Sequence, residues 1–444
     1  MNQAIFESIN NKTNFQCMVL FLMAIVPVVH LAFGGWTDLI FNLLAILSII
    51  GIMFDKNVNK FYWFGNRLFL MLFFIYPLII FLSQLFRWQW RIHDYLDQGR
   101  FLLAIPVFIY LSKIQINYGK ILGFFLPFSM IISYFTTKYI FTDIQYGERF
   151  SNNFSDVVAY GQICISMSML ILTILIFTKK QNVLSIIFKL VGISFGIFIS
   201  IKTQSRTGWI GIPFSAIVII MAQEWGYNKR HIVGLAFIIA IVVGSFFLES
   251  PVVHQRVFDA YYEIMNYPWS GGVAQDGSVS LRITFFRIGW FYFIHSPWYG
   301  WGDKGFEILL GSPELRNFAS TYAIDYCYVR LFHNELVTQM VRYGAFGILG
   351  YVLVFIFPVI KLAFLIKNNP KNESAKLNAA LAIVFLITQI FAGISDQVIN
   401  LKHMVMYFSL LMAGFLSSVA SATEADNPSS TVGPIKPSVF TTPS

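Results

Sequence analysis

The sequence predicts an all-α polytopic membrane protein with about twelve transmembrane helices. Of its 444 residues, 57% are hydrophobic and only 12% are charged, whereas soluble domains carry roughly 25% charged residues. A water-facing surface cannot be built from so few charges, and lipid is the alternative solvent. Apolar runs that approach the roughly 20 residues of one spanning helix recur along the chain.

Twelve of these apolar runs are long enough, or nearly long enough, to cross a bilayer. The shortest one contains Pro106. No repeat of fixed period is visible, which weakens the case for an inverted-repeat transporter. The runs lie at about 15–33, 38–54, 68–86, 101–112, 121–137, 158–177, 183–200, 209–223, 231–248, 336–360, 377–394 and 401–418.

The positive charges predict that both termini lie in the cytoplasm. Lys and Arg concentrate in the cytoplasmic loops of membrane proteins. With the N-terminus inside, sixteen of these residues fall in cytoplasmic segments and eight in short outer loops. The inner loops therefore explain most of the net charge of +9, and no nucleic-acid partner is needed to account for it.

One long segment and one tail depart from the pattern of short connections. We expect residues 1–248 to hold helices 1–9 and residues 249–335 to form a large helical cap on the outer face. This segment is too long for a bare loop and too rich in aromatic residues for disorder. Residues 336–419 should hold helices 10–12. The tail at 420–444 is rich in Ser, Thr and Pro and should be disordered and cytoplasmic.

Two outer-face arginines are candidates for binding an anionic substrate. Arg206 lies in the short link between the seventh and eighth helices, and Arg282 lies in an apolar helix of the cap. A guanidinium binds phosphate oxygens bidentately and keeps its charge. The alternative is an arginine that snorkels to the lipid headgroups. Arg287 is five residues beyond Arg282, so the two lie on different helix faces and at most one points into a given site.

His333 is a candidate general base at the junction between the cap and the tenth helix. Asn334 follows it and is a good N-cap residue, so His333 should lie near the positive end of a helix. That field favours the neutral imidazole, which can accept a proton from a hydroxyl. A purely structural hydrogen-bonding role is the alternative.

The sequence indicates neither a metal site nor a cofactor. The acidic residues of the outer segments lack the spacing of a metal site. No Walker loop or dinucleotide fingerprint is present. Because cytoplasmic nucleotides do not reach the outer face, the energy for a reaction there must arrive with a membrane-held substrate.

The motif around His333 resembles that of the O-antigen ligase and Wzy-type superfamily of bacterial envelope glycosyltransferases. The ligase pattern H-[NSQ]-x9-G-x-x-[GTY] is matched by His333, Asn334, Gly344 and Gly347. On a continuous helix the two glycines would lie roughly 16–21 Å beyond His333, so we expect them to serve in close helix packing.

Other segments are similar to the same superfamily. Arg282, Trp290 and the run 295–302 resemble the Arg–Trp–Pro–Gly–x–Gly segment that precedes the histidine motif. The sequence Ser-Arg-Thr-Gly at 205–208 resembles a link between two middle spans. Arg149 begins a segment that matches only in part, because Asn152 replaces a glycine.

The resemblance implies a metal-independent glycosyltransferase of the bacterial inner membrane with a periplasmic cap and active site. Members take a glycan from undecaprenyl pyrophosphate, and a ligase transfers it to lipid A–core in lipopolysaccharide biosynthesis. Carried over, His333 would be the catalytic base or orient the acceptor hydroxyl, and Arg206 and Arg282 would bind the pyrophosphate. Direct attack would invert the anomeric centre. Asn334, Asp396 and Arg149 are candidate supporting residues.

Three alternatives remain open from the sequence. An O-antigen polymerase uses the same donor and a second lipid-linked glycan as acceptor. A protein O-oligosaccharyltransferase shares the histidine pattern, although these enzymes tend to be longer. A lipid-linked glycan transporter would require charged residues in mid-membrane, and the predicted spans contain almost none.

Overall fold

Helices build the fold of the described residues, which contain no strand. The computed structural model describes residues 12–56, 63–141, 149–152, 156–205, 207–224, 251–302, 305, 311–330, 332–368 and 372–426. In chain order the helices are α1 (Asn14–Ala32), α2 (Thr37–Phe54), α3 (Trp63–Arg87), α4 (Phe101–Lys113), α5 (Tyr118–Tyr139), α6 (Val157–Phe177), α7 (Val183–Lys202), α8 (Gly211–Glu224), α9 (Pro251–Met265), α10 (Ser278–His295), α11 (Pro313–Arg316), α12 (Thr321–Arg330), α13 (Glu335–Tyr351), α14 (Phe357–Asn368), α15 (Glu373–Ala392) and α16 (Lys402–Asp426).

Polar side chains fix where several of these helices begin. Thr13 and Gln16 form a reciprocal capping box at the start of α1, Asp156 caps α6 and Asn372 caps α15. Each side chain accepts a hydrogen bond from a backbone N–H of the first turn, which has no partner within the helix. The apolar runs between such caps form helices, because a helix pairs most backbone groups within its own segment, as lipid requires.

The helices confirm the predicted class, an all-α polytopic membrane protein. Within the described part of the chain, nine helices are long and apolar enough to cross a bilayer. Eleven of the twelve predicted runs coincide with helices, although α4 and α8 are shorter than a full span. The ninth predicted run, 231–248, lies outside the described residues.

Burial separates a central group of helices from a peripheral one. The apolar windows of α6, α15 and α16 are almost wholly buried, whereas most residues of α2 and α7 are exposed or half-buried. Exposed residues on α2 include Leu39, Ile46 and Phe54. Large apolar side chains that face outward over whole helices are expected where the surrounding solvent is lipid.

The cap packs as a small helical unit on the beginning of α13. Phe285, Ile288 and Tyr292 of α10 form a common core with residues of α12 and with Val337 and Val341 of α13. Glu263 at the end of α9 accepts hydrogen bonds from the first N–H groups of α10, at 2.6 and 2.9 Å. The cap is therefore anchored to the membrane helix that follows His333.

Two helices differ from the sequence prediction, one by a break and one by its C-terminal end. Helix α13 is not continuous, because Gly344 adopts φ 61° and ψ −140° and breaks it. At the C-terminal end, α16 extends to Asp426, seven residues into the tail predicted to be disordered. The carbonyl of Ala422 accepts a hydrogen bond from Asn372, and Ser421 donates one to Ser112, which explains the extension. Residues 427–444 lie outside the described residues.

Candidate functional site

A cavity of about 520 Å³ opens between the cap and the membrane helices. Helices α9 and α10 contribute one wall, including Ser278 and Arg282. The rest comes from Arg149, from Val158 of α6, from the link between α7 and α8, and from Ser395, just beyond α15. The full lining comprises Arg149, Val158, Gln204, Ser205, Thr207, Trp209, Ile210, Val257, Ala260, Ser278, Val279, Arg282 and Ser395. The cavity thus combines apolar walls with a few convergent polar groups, as ligand sites do.

Arg282 is held firmly at this cavity. Its Nε donates to the carbonyl oxygen of Ser395 at 3.1 Å, and its Nη1 donates to the carbonyl and hydroxyl of Ser278 at 2.6 and 2.8 Å. Among the described residues, Nη2 has no hydrogen-bond partner. Burial lowers the pKa of Arg282, and the nearby carboxylates of Asp396 and Glu263 oppose this shift. A guanidinium stays charged under such conditions, so a fixed cation faces the cavity.

The sequence also predicted roles for Arg149 and Arg206, and of these two Arg149 is among the described residues. Arg149 lines the cavity, and its Nε donates to the carbonyl of Thr203 at 2.8 Å. Arg206 lies outside the described residues, although its chain neighbours Ser205 and Thr207 both line the cavity. Arg287 lies elsewhere, with its guanidinium 4.6 Å from the ring centre of Phe318. The prediction that Arg282 and Arg287 point in different directions is therefore confirmed.

His333 lies between two polar partners, one at each ring nitrogen. Its Nδ1 is 3.1 Å from Oδ1 of Asp396, and its Nε2 is 2.8 Å from the hydroxyl of Tyr326. A carboxylate only accepts hydrogen bonds, so in a neutral imidazole at this position the proton is assigned to Nδ1 and the lone pair to Nε2. Tyr326 then donates to Nε2. This arrangement orients the neutral ring and leaves Nε2 as its basic atom.

The backbone at His333 adopts an uncommon conformation. Its φ is 43°, in the left-handed region that few residues other than glycine adopt. Asn334 caps α13 by accepting from the N–H of Val337 at 3.0 Å, and its Nδ2 donates to the carbonyl of Ile394 at 2.9 Å. These contacts hold the sharp turn that aims His333 at Asp396.

Asp396 and Arg282 are linked through the chain segment after α15. Ser395 accepts the hydrogen bond from Arg282, and Asp396 is the next residue along the chain. The loop that orients His333 is therefore the loop that fixes Arg282. The structure brings together His333, Asp396, Asn334 and Arg282, with Arg149 lining the same cavity.

Sequence reasoning missed Glu335, which stabilises this loop. The side chain of Glu335 is fully buried and accepts from the N–H groups of Val398 and Ile399 at 2.8 and 3.1 Å. It also accepts from the amide of Asn400 at 3.0 Å and from that of Gln339 at 2.7 Å. A buried carboxylate with this many donors is well satisfied, and it fastens the loop carrying Asp396 to the first turn of α13. Its position directly after the histidine motif was the available signal.

Gly344 and Gly347 make close contacts, but not along a straight helix. A Cβ atom on Gly344 would lie 2.6 Å from the carbonyl carbon of Trp298, and Ala345 donates to the carbonyl of Pro297 at 2.7 Å. A Cβ atom on Gly347 would press on the carbonyl oxygen of Gln339, which lies in α13 before the break. The helix on which both glycines were expected to lie is not continuous, because it breaks at Gly344, where the cap loop packs.

The described residues contain no group of three or more His, Cys, Asp and Glu side chains placed to hold a metal ion. Among the described residues that line the cavity, the charged ones are arginines, which suits an anionic substrate.

The described part of the chain thus defines an all-α membrane protein with an arginine-bearing cavity beside a His–Asp pair. Residues 191–352 match the family model described as O-Antigen ligase. The match includes the cap, Arg282, His333 and Asn334, and it confirms the resemblance to the O-antigen ligase superfamily. A protein of Haemophilus influenzae described as "Uncharacterized protein" is 23% identical over 374 residues, covering 83% of this chain and 90% of that relative.

Proposed function

We propose that this protein is an O-antigen ligase that transfers a glycan from undecaprenyl pyrophosphate to lipid A–core on the periplasmic face of the inner membrane. The single observation that carries the proposal is that two consecutive residues contact both candidate groups. Ser395 accepts a hydrogen bond from Arg282 at the cavity, and Asp396 contacts the imidazole of His333. The family match over residues 191–352 supports the same class of reaction.

The proposed reaction is a direct displacement at the anomeric carbon of the donor glycan. The acceptor hydroxyl oxygen forms a bond to this carbon, and the bond from the carbon to the diphosphate oxygen breaks. The diphosphate leaves with the bonding electron pair and remains on undecaprenol. As the acceptor hydroxyl loses its proton, His333 takes up a proton at Nε2, and Asp396 stabilises the imidazolium that results. One displacement inverts the anomeric configuration.

The arginines supply the electrostatic part of the mechanism. The diphosphate gains negative charge as the glycosidic bond breaks, so a fixed guanidinium stabilises the transition state more than the ground state. Arg282 is positioned by three hydrogen bonds and contacts the cavity. We assign the same role to Arg206 from its motif and a supporting role to Arg149, which lines the cavity. These cations balance the charge without a metal ion.

The test is a transfer assay with purified full-length protein. It combines undecaprenyl-pyrophosphate glycan with lipid A–core, in the presence of EDTA, and detects glycosylated lipid A–core by mass spectrometry. The proposal predicts the joined product with inverted linkage.

Other products would point to other functions. A longer glycan still attached to undecaprenyl pyrophosphate would indicate a polymerase, and glycan on a protein acceptor would indicate an oligosaccharyltransferase. Donor that crosses a vesicle membrane without being consumed would indicate a transporter. A strict requirement for a divalent cation would contradict charge balance by arginine.

A further inference from the structure

The hydroxyl of Tyr326 forms a hydrogen bond with Nε2 of His333, the atom that takes up the proton in the proposed reaction. The Nε2 atom of a neutral imidazole has one lone pair and accepts one good hydrogen bond. The hydroxyl of Tyr326 takes this position at 2.8 Å, and Asp396 takes Nδ1. An acceptor hydroxyl therefore reaches the base either by displacing Tyr326 or by passing its proton through Tyr326.

The surroundings of Tyr326 favour the second route. Its ring stacks on Phe285 with centroids 5.4 Å apart and lies 5.3 Å from the ring of His333. Phe285 also stacks on His333, at 5.9 Å. The three rings form one stacked group, in which Phe285 is buried in the cap core. Displacing Tyr326 would disrupt this packing, whereas a proton transfer leaves every ring in place.

The position of Tyr326 also suits an approach by the acceptor. Helix α12 places Tyr326 half-buried, with the exposed residues Tyr322 and Asp325 beside it. A phenol that donates one hydrogen bond keeps lone pairs with which it can accept another. The acceptor hydroxyl can thus donate to Tyr326 from the surface of α12, while the donor diphosphate lies near Arg282.

We infer that Tyr326 is a relay residue that carries the proton from the acceptor hydroxyl to His333. In one concerted step the acceptor O–H bond breaks and its proton forms a new bond to the phenol oxygen. The original phenol proton moves to Nε2 of His333, so Tyr326 begins and ends the step as a neutral phenol. This inference rests on the proposed function, because the acceptor is the hydroxyl of the glycosyl-transfer reaction.

The test compares Tyr326→Phe with Tyr322→Phe. Both changes remove one hydroxyl from α12 and keep the ring, but the hydroxyl that contacts His333 is that of Tyr326. We expect Tyr326→Phe to lower the rate of the chemical step by roughly 10²–10⁴-fold, the usual contribution of acid–base groups. Binding of the donor should be unchanged, and Tyr322→Phe should transfer at the wild-type rate. A Tyr326→Phe rate equal to or above wild type would overturn the relay, because the hydroxyl would then only hold the place of the acceptor.

A second measurement does not depend on activity. In protein with ¹⁵N-labelled histidine, the Nε2 signal of His333 is assigned by its loss in His333→Ala. Tyr326→Phe should shift this signal at neutral pH, because the hydrogen bond to Nε2 is removed, and Tyr322→Phe should not. An unchanged signal would overturn the inference even if wild-type protein carried out no transfer. Normal wild-type transfer with an unaffected Tyr326→Phe variant would overturn the relay alone and leave the proposed function standing.

Discussion

Arg282 and Arg287 lie on one helix and carry the same charge, yet their surroundings differ. Arg282 lines the cavity and donates hydrogen bonds to Ser278 and Ser395. Arg287 packs over the ring of Phe318. General attraction to anionic lipid would not distinguish these two side chains, whereas recognition of a diphosphate in the cavity would.

We therefore predict that Arg282→Lys impairs transfer while Arg287→Lys does not. Lysine keeps the charge but lacks the planar set of donors that binds Ser395 and phosphate oxygens together. Loss of one such charge-assisted hydrogen bond costs about 1.5–3 kcal/mol, or roughly 10–100-fold in kcat/KM. Kinetics with purified variants measure this directly. Equal, near-wild-type rates for both variants would mean that Arg282 only interacts with the membrane surface.

Asp396 is predicted to act through His333. In Asp396→Asn the amide can still contact Nδ1, but it carries no charge to stabilise the imidazolium. We expect kcat to fall by roughly 10²–10⁴-fold with little change in donor affinity. Asp325→Asn is the matched control, since Asp325 is exposed on α12. The assignment would fail if Asp396→Asn lost donor binding but kept its turnover rate.

The sequence predicted the residues of the site better than their connections. His333, Asp396 and Arg282 were identifiable from motif position and charge. Their linkage through Ser395 depends on a contact of α10 with a loop 113 residues away in sequence. The role of Glu335 depends on contacts of α13 with the same loop. Tyr326 was missed because tyrosine is common in the aromatic cap and nothing in its local sequence indicates a partner.

The break in α13 depends on an interaction between two elements. The cap loop passes over Gly344, with Trp301 donating to the carbonyl of Val341 at 2.9 Å and Gly302 to that of Arg342 at 2.8 Å. The apolar pattern after Glu335 indicated a continuous helix, because a glycine within such a run fits either a straight helix or a break. Only the packing of the cap loop decides between them.

We predict that Gly344→Ala destabilises the protein and impairs transfer. A side chain at φ 61° and ψ −140° is strained, at a cost of about 1–3 kcal/mol, and its Cβ would also press on the backbone of Trp298. Thermal unfolding in detergent, followed by circular dichroism, should show a lower Tm. Gly123→Ala in α5 is the control, because its Cβ would make only ordinary contacts with side chains of α6 and α7 and alanine favours a helix. Equal Tm values for Gly344→Ala and wild type would show that the break is not a fixed feature.

For the molecule as a whole, the central proposal requires the cap to lie on the periplasmic side. Apolar composition was sufficient to predict most of the membrane helices, because the requirement for internal hydrogen bonding leaves few alternatives in lipid. The orientation rests on the distribution of Lys and Arg. The cap and the cavity beneath it follow from tertiary packing of aromatic residues, which composition alone did not specify.

Orientation can be measured by cysteine labelling in intact cells. In a variant without Cys17, Cys164 and Cys327, Glu314→Cys should react with a membrane-impermeant thiol reagent that crosses the outer membrane. Lys180→Cys should react only after the inner membrane is opened. Both positions are exposed, so access to the reagent decides the result. Labelling with the opposite pattern would place the cap in the cytoplasm and exclude a periplasmic reaction.

The most direct test of the account is the rate of glycan transfer by His333→Ala. The purified variant should bind the donor as wild type does. Its rate of glycan transfer should be lower by roughly 10²–10⁴-fold, because the acceptor hydroxyl loses its base. His295→Ala, which changes an exposed histidine at the end of α10, should remain active. Transfer by His333→Ala at the wild-type rate would contradict the account.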